Sequence, residues 1–145
     1  MADQRSGEIP GVETQLESTL ESVDSAESAV LKAAKEIGFD EDDLHKIGMA
    51  VRESMVNAVV HGNRYSARKK VHLSISKARD RLSVVVGDEG EGFDYGAVPD
   101  PLSEENLLRQ SGRGLLLMQA FVDELEVRRR KPSGTEVRMV KYLAR

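Results

Sequence analysis

The chain has 145 residues, the size of a single domain, and its formal net charge at neutral pH is −4. This acidic balance does not support general attraction to nucleic acid or to an anionic membrane. There is no cysteine, which excludes disulfides and thiolate metal sites. No apolar run approaches the roughly 20 residues of a membrane span, and the polar N-terminus lacks a signal pattern. We therefore expect a cytoplasmic protein.

The N-terminal part of the chain divides into a loose segment and the start of the domain. Residues 1–11 are charged and contain Pro and Gly, so they are predicted to be a flexible N-terminal segment. Residues 12–145 are predicted to form one domain. Its first element is a short strand, because apolar and polar residues alternate there at Val12, Thr14 and Leu16.

Two helices are predicted next. Asp24 and Glu27, three residues apart, form a capping-box pattern that predicts the start of the first helix, and Gly38 ends it. Asp40 and Asp43 repeat this pattern for the second helix. The first helix presents an apolar face made of Ala26, Ala29, Val30, Ala33, Ala34 and Ile37.

The second helix carries a line of polar side chains near its end. Glu53, Asn57 and His61 recur at every fourth position, so they share one face of the helix. Gly62 follows directly and is interpreted as a left-handed helix stop. These side chains indicate either a row of polar groups that are solvated or hydrogen-bonded by neighbouring residues, or the wall of a cleft. The opposite side of the helix is apolar, with Leu44, Ile47, Val51, Met55 and Ala58.

A hairpin follows the second helix. Val71, Leu73 and Ile75 alternate with polar residues, which predicts a strand with one buried face. After a tight connection at Asp80-Arg81, residues 82–86 are apolar on both faces. This pattern predicts a more central strand, antiparallel to the one before it.

A second polar group stands where that central strand ends. Asp88 is followed by Gly90 and Gly92. A carboxylate there can accept a hydrogen bond from an exocyclic amine such as that of adenine, and the glycines let backbone approach a flat base. The alternative is an ordinary Asp-Gly turn. Residues 93–111 then form a long connection with little periodicity, which is typical of a functional loop.

The last third of the chain opens with a glycine-rich helix start, Gly112-Arg113-Gly114-Leu115. Free backbone N–H groups and the positive end of a helix dipole can bind phosphate there, and Arg113 or Arg109 could add a charged contact. The alternative is a glycine N-cap beside a surface arginine. Two strands near Leu125 and Val137 follow, joined by a turn that contains Gly134-Thr135.

The order of these elements is β-α-α-β-β-loop-α-β-β. It predicts a two-layer α/β sandwich, with a mixed, largely antiparallel sheet covered on one face by three helices.

Four short motifs, in order over about 80 residues, resemble those of the GHKL (Bergerat-fold) nucleotide-binding family. They are Glu-x-x-x-Asn-Ala-x-x-His-Gly from Glu53, Asp-x-Gly-x-Gly-Phe from Asp88, Gly-x-Gly-Leu from Gly112 and Gly-Thr at Thr135. The predicted element order is also similar to that fold. The runs 114–127 and 137–143 are similar to the bacterial anti-sigma-factor serine-protein kinases, the switch kinases of partner-switching systems.

The resemblance implies ATP and Mg²⁺ as cofactors and a role for each motif. Glu53 would be the general base for an attacking serine hydroxyl, and Asn57 would hold Mg²⁺. Asp88 would read adenine, supported by the hydroxyl of Thr135. Residues 93–111 would be the ATP lid. The remaining nucleotide contacts implied are His61, Gly90, Gly92, Arg109, Gly112, Arg113, Gly114 and Leu115.

The sequence departs from the family pattern at one place. The resemblance predicts an arginine two residues before Gly112, but Gln110 stands there. Arg109 and Arg113 are both candidates for the contact with the terminal phosphate.

The resemblance implies a kinase that phosphorylates an anti-anti-sigma (STAS-type) protein and also binds a sigma factor, acting as a homodimer without contacting DNA or membrane. One alternative is a non-catalytic module whose partner affinity is set by the bound nucleotide. A second is a housekeeping ATPase, which is less compatible with a single domain of this kind.

Overall fold

A computed structural model describes residues 9–90 and 114–143. The element order is the predicted one. The helices are α1 (Leu20–Ile37), α2 (Glu41–Val56) and α3 (Gly114–Phe121), and α2 continues into a π-helical segment, Asn57–Gly62. The strands are β1 (Ile9–Glu17), β2 (Lys70–Lys77), β3 (Arg81–Gly87), β4 (Glu124–Arg129) and β5 (Thr135–Tyr142). Within the described ranges, no helix is both long enough and apolar enough to cross a membrane.

The five strands form one sheet in the order β1-β2-β3-β5-β4. All four strand pairings among the described residues are antiparallel, so the sheet described is antiparallel and not mixed. β3 lies at the centre of the sheet, as its apolar residues predict. β1 begins at Ile9, three residues before the alternating pattern, and its pairing with β2 shifts register between Pro10 and Val12.

The helices pack on one apolar layer of the sheet. α1 contacts β2 and β3, α2 contacts β3, and α3 contacts β4. The predicted helix faces and strand faces meet in one core, which confirms the two-layer sandwich. Its fully buried members include Val30, Val51, Met55, Val71, Ile75, Leu82, Val86 and Met118.

The predicted start of the first helix is wrong. Thr19 is the N-cap of α1, and its Oγ1 accepts a hydrogen bond from the Ser22 N–H at 3.3 Å. Asp24 and Glu27 lie inside the helix, and each accepts a hydrogen bond from Arg52 on α2 at 2.8 Å. The carboxylates therefore join two helices instead of capping one.

The other two helix signals are confirmed. Gly38 ends α1 with φ of 111°, and Asp40 caps α2 by accepting a hydrogen bond from the Asp43 N–H at 2.8 Å.

Candidate functional site

The polar line of the second helix lies where α-helix changes to π-helix. The N–H of Asn57 is shared by the carbonyls of Glu53 and Ser54, and the Asn63 N–H donates to Ala58 five residues back at 2.8 Å. Glu53 and Asn57 are half-buried, whereas His61 is exposed. The π-helical spacing was not anticipated from the sequence, and π turns are frequent at functional sites.

Gly62 is not the left-handed helix stop that was predicted. The left-handed residues of this turn are Arg64, with φ of 50°, and Tyr65, with φ of 60°. A Cβ added to Gly62 would instead overlap the carboxylate of Asp88. Glycine is needed here because the end of the helix packs directly on the loop that follows β3. This contact brings the first and second motifs together.

Asp88 is a buried carboxylate held by backbone. Its Oδ1 accepts hydrogen bonds from the N–H of Gly90 at 2.9 Å and of Thr135 at 3.2 Å. Its own N–H donates to the Thr135 carbonyl at 2.9 Å. Burial raises the pKa of Asp88, against the opposing effects of the two backbone bonds and of the charges of Arg130 and Lys69. No donor in the described part of the chain bonds Oδ2, so that oxygen can accept from a ligand.

Backbone surrounds Asp88 on several sides. A Cβ on Gly90 would overlap the carbonyl of Gly62, and one on Gly134 would overlap the carbonyl of Asp88. The final Gly-Thr motif therefore contacts the second motif, as predicted. The bond to Asp88, however, is donated by the backbone N–H of Thr135, where the hydroxyl was expected.

Asn63 is a structural residue of the site that sequence analysis missed. It is 1% exposed, and its Nδ2 donates to Ser18 Oγ and to the Lys70 carbonyl, both at 2.9 Å. Its Oδ1 accepts from the Glu89 N–H at 2.7 Å. One side chain thus ties the end of the helix to β2 and to the loop after β3. An asparagine just after a helix glycine looks like an ordinary turn residue, so no pattern in the sequence indicates this role.

Replacing Asn63 with Ala is expected to destabilise the fold by about 2–4 kcal/mol, because three buried or partly buried polar groups lose a partner. Chemical denaturation would measure the loss. Ser66→Ala is the matched control, since its Oγ accepts one exposed bond, from the Arg68 N–H at 3.2 Å. Equal denaturation midpoints for the two variants would contradict the role of Asn63.

The third motif is described only in part. Gly114 and Leu115 begin α3. Gly92, Arg109, Gln110, Gly112 and Arg113, with the whole predicted lid 93–111, lie outside the described residues.

Comparison with known proteins identifies the family. The profile of the histidine kinase-like ATPase domain matches residues 16–141. The chain belongs to this family. Because the match includes the helix of Glu53 and the Asp88 loop, the family resemblance of the motifs is confirmed, and ATP is the ligand that the histidine kinase-like ATPase domain implies.

Relatives of this histidine kinase-like ATPase domain have specific names. The chain is 34% identical over 113 residues to "Serine-protein kinase RsbW" of Staphylococcus epidermidis, covering 73% of this chain and 70% of that protein. It is 33% identical over 116 residues to the protein of the same name in Bacillus subtilis, covering 76% and 71%. It is also 31% identical over 105 residues to "Anti-sigma F factor" of Bacillus thuringiensis, covering 71% and 72%. These names agree with the predicted class.

A solved structure has the same fold. The RsbU and RsbW domains of Rv1364c from Mycobacterium tuberculosis match with a TM-score of 0.66 at 21% identity. The match covers 94% of this chain and 33% of that longer chain. The histidine kinase-like ATPase domain described here therefore corresponds to about a third of that protein.

Proposed function

We propose that this protein is an ATP-dependent serine-protein kinase and anti-sigma factor of a partner-switching system. The observation that carries the proposal is the packing of Gly62 against Asp88. It brings the end of the helix that bears Glu53 to the carboxylate that would read adenine. The names of the relatives support the same activity.

The residues around Asp88 fit an adenine nucleotide. The buried carboxylate has one oxygen held by two backbone N–H groups, which leaves the other to accept a bond from the exocyclic amine of adenine. The missing Cβ atoms at Gly62 and Gly90 let the helix end and the Asp88 loop pack directly together, which holds the carboxylate in place. ATP bound there would supply the transferable phosphoryl group.

Glu53 and Asn57 would carry the chemistry one turn of helix apart. Asn57 would hold Mg²⁺ through its amide oxygen, since Mg²⁺ prefers oxygen ligands and relies largely on phosphates. Glu53 is half-buried, and within residues 9–90 and 114–143 its carboxylate makes no ion pair. Glu53 would accept the proton that the partner's serine hydroxyl loses on attack.

The remaining assignments complete the proposal. Residues 93–111 would form the lid of a single domain that acts as a cytoplasmic homodimer. This domain begins with β1 at Ile9, so residues 9–11, which were predicted to belong to the flexible segment, are part of it. Its partners would be a sigma factor and an anti-anti-sigma protein of the STAS type. The triphosphate would be held by Arg109, Gly112, Arg113 and Gly114, with further nucleotide contacts from His61, Gly92, Leu115 and Thr135.

Partner capture tests this function directly. The purified protein is mixed with native lysate in the presence of Mg·ADP or Mg·ATP, and the intact masses of retained proteins are measured. We expect a small partner that gains one phosphate on serine with Mg·ATP alone. A partner retained equally in both states and never modified would contradict the kinase and favour a non-catalytic module.

Replacing Asp88 with Asn separates binding from stability. We expect ATP affinity to fall by about 100-fold, because the amide offers adenine a donor where it needs an acceptor. The raised pKa of Asp88 means that its ionised form is disfavoured in the fold, so at neutral pH the uncharged Asn should fold at least as stably. Calorimetric titration and thermal unfolding would measure both. Unchanged ATP affinity in a folded variant would contradict the assignment.

A further inference from the structure

Two short segments of this acidic chain are strongly basic. Residues 64–70 and residues 128–131 each contain four Lys or Arg residues and no Asp or Glu, while the whole chain has a net charge of −4. They are separated by more than fifty residues of sequence. Eight of the 21 Lys and Arg residues therefore lie in these two segments, which together are 11 of the 145 residues.

The fold brings these two segments to the same edge of the nucleotide site. The Lys70 N–H donates to Glu89 Oε1 at 3.2 Å, and Ser133 Oγ donates to the Glu89 carbonyl at 3.3 Å. Lys70 ends the first segment and Ser133 follows the second by two residues, so both segments come close to Glu89. The side chain of Arg130 lies against Gly87, the residue directly before Asp88. In agreement with this, the charges of Lys69 and Arg130 both oppose the raised pKa of Asp88.

Most of these cations face solvent without an acidic partner. Lys70 is paired with Glu17, and Arg128 is paired with Glu126 and Glu136. The other six make no ion pair with any residue that the structure describes. Together with the exposed Tyr65, they define a surface that we name the basic rim: Arg64, Arg68, Lys69, Arg129, Arg130 and Lys131.

The backbone of the first basic segment, residues 64–70, includes an energetically unfavourable conformation. Arg64 and Tyr65 are two successive non-glycine residues in the left-handed region. The Tyr65 N–H donates to the Val59 carbonyl at 2.9 Å, and the Lys69 carbonyl accepts from Ser18 Oγ at 2.6 Å. These bonds fix the loop, yet the side chain of Tyr65 is 53% exposed. Strained backbone that displays an aromatic side chain to solvent is typical of a recognition surface.

We propose that the basic rim is a docking surface for an acidic segment of a protein partner. Arginine side chains would pair with its carboxylates, and Tyr65 would contact its apolar atoms. The inference rests on the proposed function only in assigning that segment to the phosphorylated partner. A protein segment is favoured over nucleic acid because the chain's net negative charge repels a long polyanion, whereas a short segment interacts mainly with the local charge.

Peptide binding tests the rim independently of catalysis. The probe is a fluorescein-labelled peptide of about ten residues, alternating Glu and Leu, whose anisotropy is followed at about 50 mM and about 300 mM salt. We expect binding that weakens with salt. The triple variant Arg64→Gln, Arg68→Gln, Arg129→Gln should bind about tenfold more weakly, since it loses three exposed ion pairs worth two- to threefold each. Tyr65→Ala should also weaken binding.

The matched control removes three exposed cations elsewhere, with Lys32→Gln, Lys35→Gln and Arg79→Gln. It changes the net charge equally and should retain peptide affinity. Equal losses of peptide affinity in the two triple variants would overturn the docking proposal, because total charge alone would then explain binding. Tighter binding of a single-stranded DNA of about ten nucleotides than of the peptide would also overturn it. ATP affinity is measured in parallel. Absence of ATP binding would contradict the proposed function, whereas loss of peptide binding with ATP binding intact would contradict the rim alone.

Discussion

Replacing Glu53 with Gln is expected to lower phosphoryl transfer to the partner by about 10²–10⁴-fold, the usual contribution of a positioned general base. ATP affinity should stay within about twofold of the unmodified protein, because the change is isosteric and Glu53 stands nine residues before Gly62, where the helix contacts Asp88. Single-turnover transfer from labelled ATP would measure the first quantity, and titration with a fluorescent nucleotide would measure the second.

The control for this prediction is another carboxylate of the same helix. Glu41 is exposed in the first turn of α2, so Glu41→Gln should leave transfer unchanged. Transfer that persists at the normal rate in Glu53→Gln would remove Glu53 as the base. Loss of both transfer and ATP binding would instead make Glu53 part of nucleotide binding, and the kinase proposal would then need another base.

Much of the fold could be predicted because its signals are local and repeated. The alternation at Val71, Leu73 and Ile75 and the largely apolar run of β3 each specify a strand and its place in the sheet. The stop at Gly38 and the cap at Asp40 depend on neighbouring backbone alone. Such features need no knowledge of what the chain touches elsewhere.

Features that depend on distant contacts could not be predicted in this way. Asp24 and Glu27 match a capping box in sequence, but Thr19 offers an earlier cap and Arg52 offers both carboxylates a charged partner. Gly62 resembles a helix stop, although its role comes from Asp88, which is 26 residues later in sequence.

The site shows the same division. The sequence predicts Glu53, Asn57 and Asp88 as candidate site residues, and the packing of Gly62 against Asp88 places their two motifs side by side. Two details of the supporting contacts were not anticipated: Asn63 bonds residues from three separate segments, and Thr135 holds Asp88 through its backbone N–H instead of its hydroxyl. Backbone donors are available at any residue, so no residue type marks them in a sequence.

Gly134→Ala is expected to lower the free energy of unfolding by about 3–4 kcal/mol, through the combined costs of a strained φ and an overpacked contact. Gly134 has φ of 103°, and an added Cβ would overlap the Asp88 carbonyl. Because Asp88 would have to move, ATP affinity should fall as well. Urea denaturation with a shared m-value, together with nucleotide titration, would measure the two effects.

Gly38→Ala isolates one of these two costs. Gly38 has a similar φ of 111°, but an added Cβ would meet nothing within 4 Å. The Gly38→Ala variant should therefore lose only the conformational part of the unfolding free energy, about 1–2 kcal/mol, and should keep its ATP affinity. The extra loss of unfolding free energy in Gly134→Ala, compared with Gly38→Ala, would measure how much close packing around Asp88 contributes to stability. Equal losses, with ATP binding intact in both variants, would mean that Asp88 tolerates displacement, and the rigid backbone setting assigned to it would be wrong.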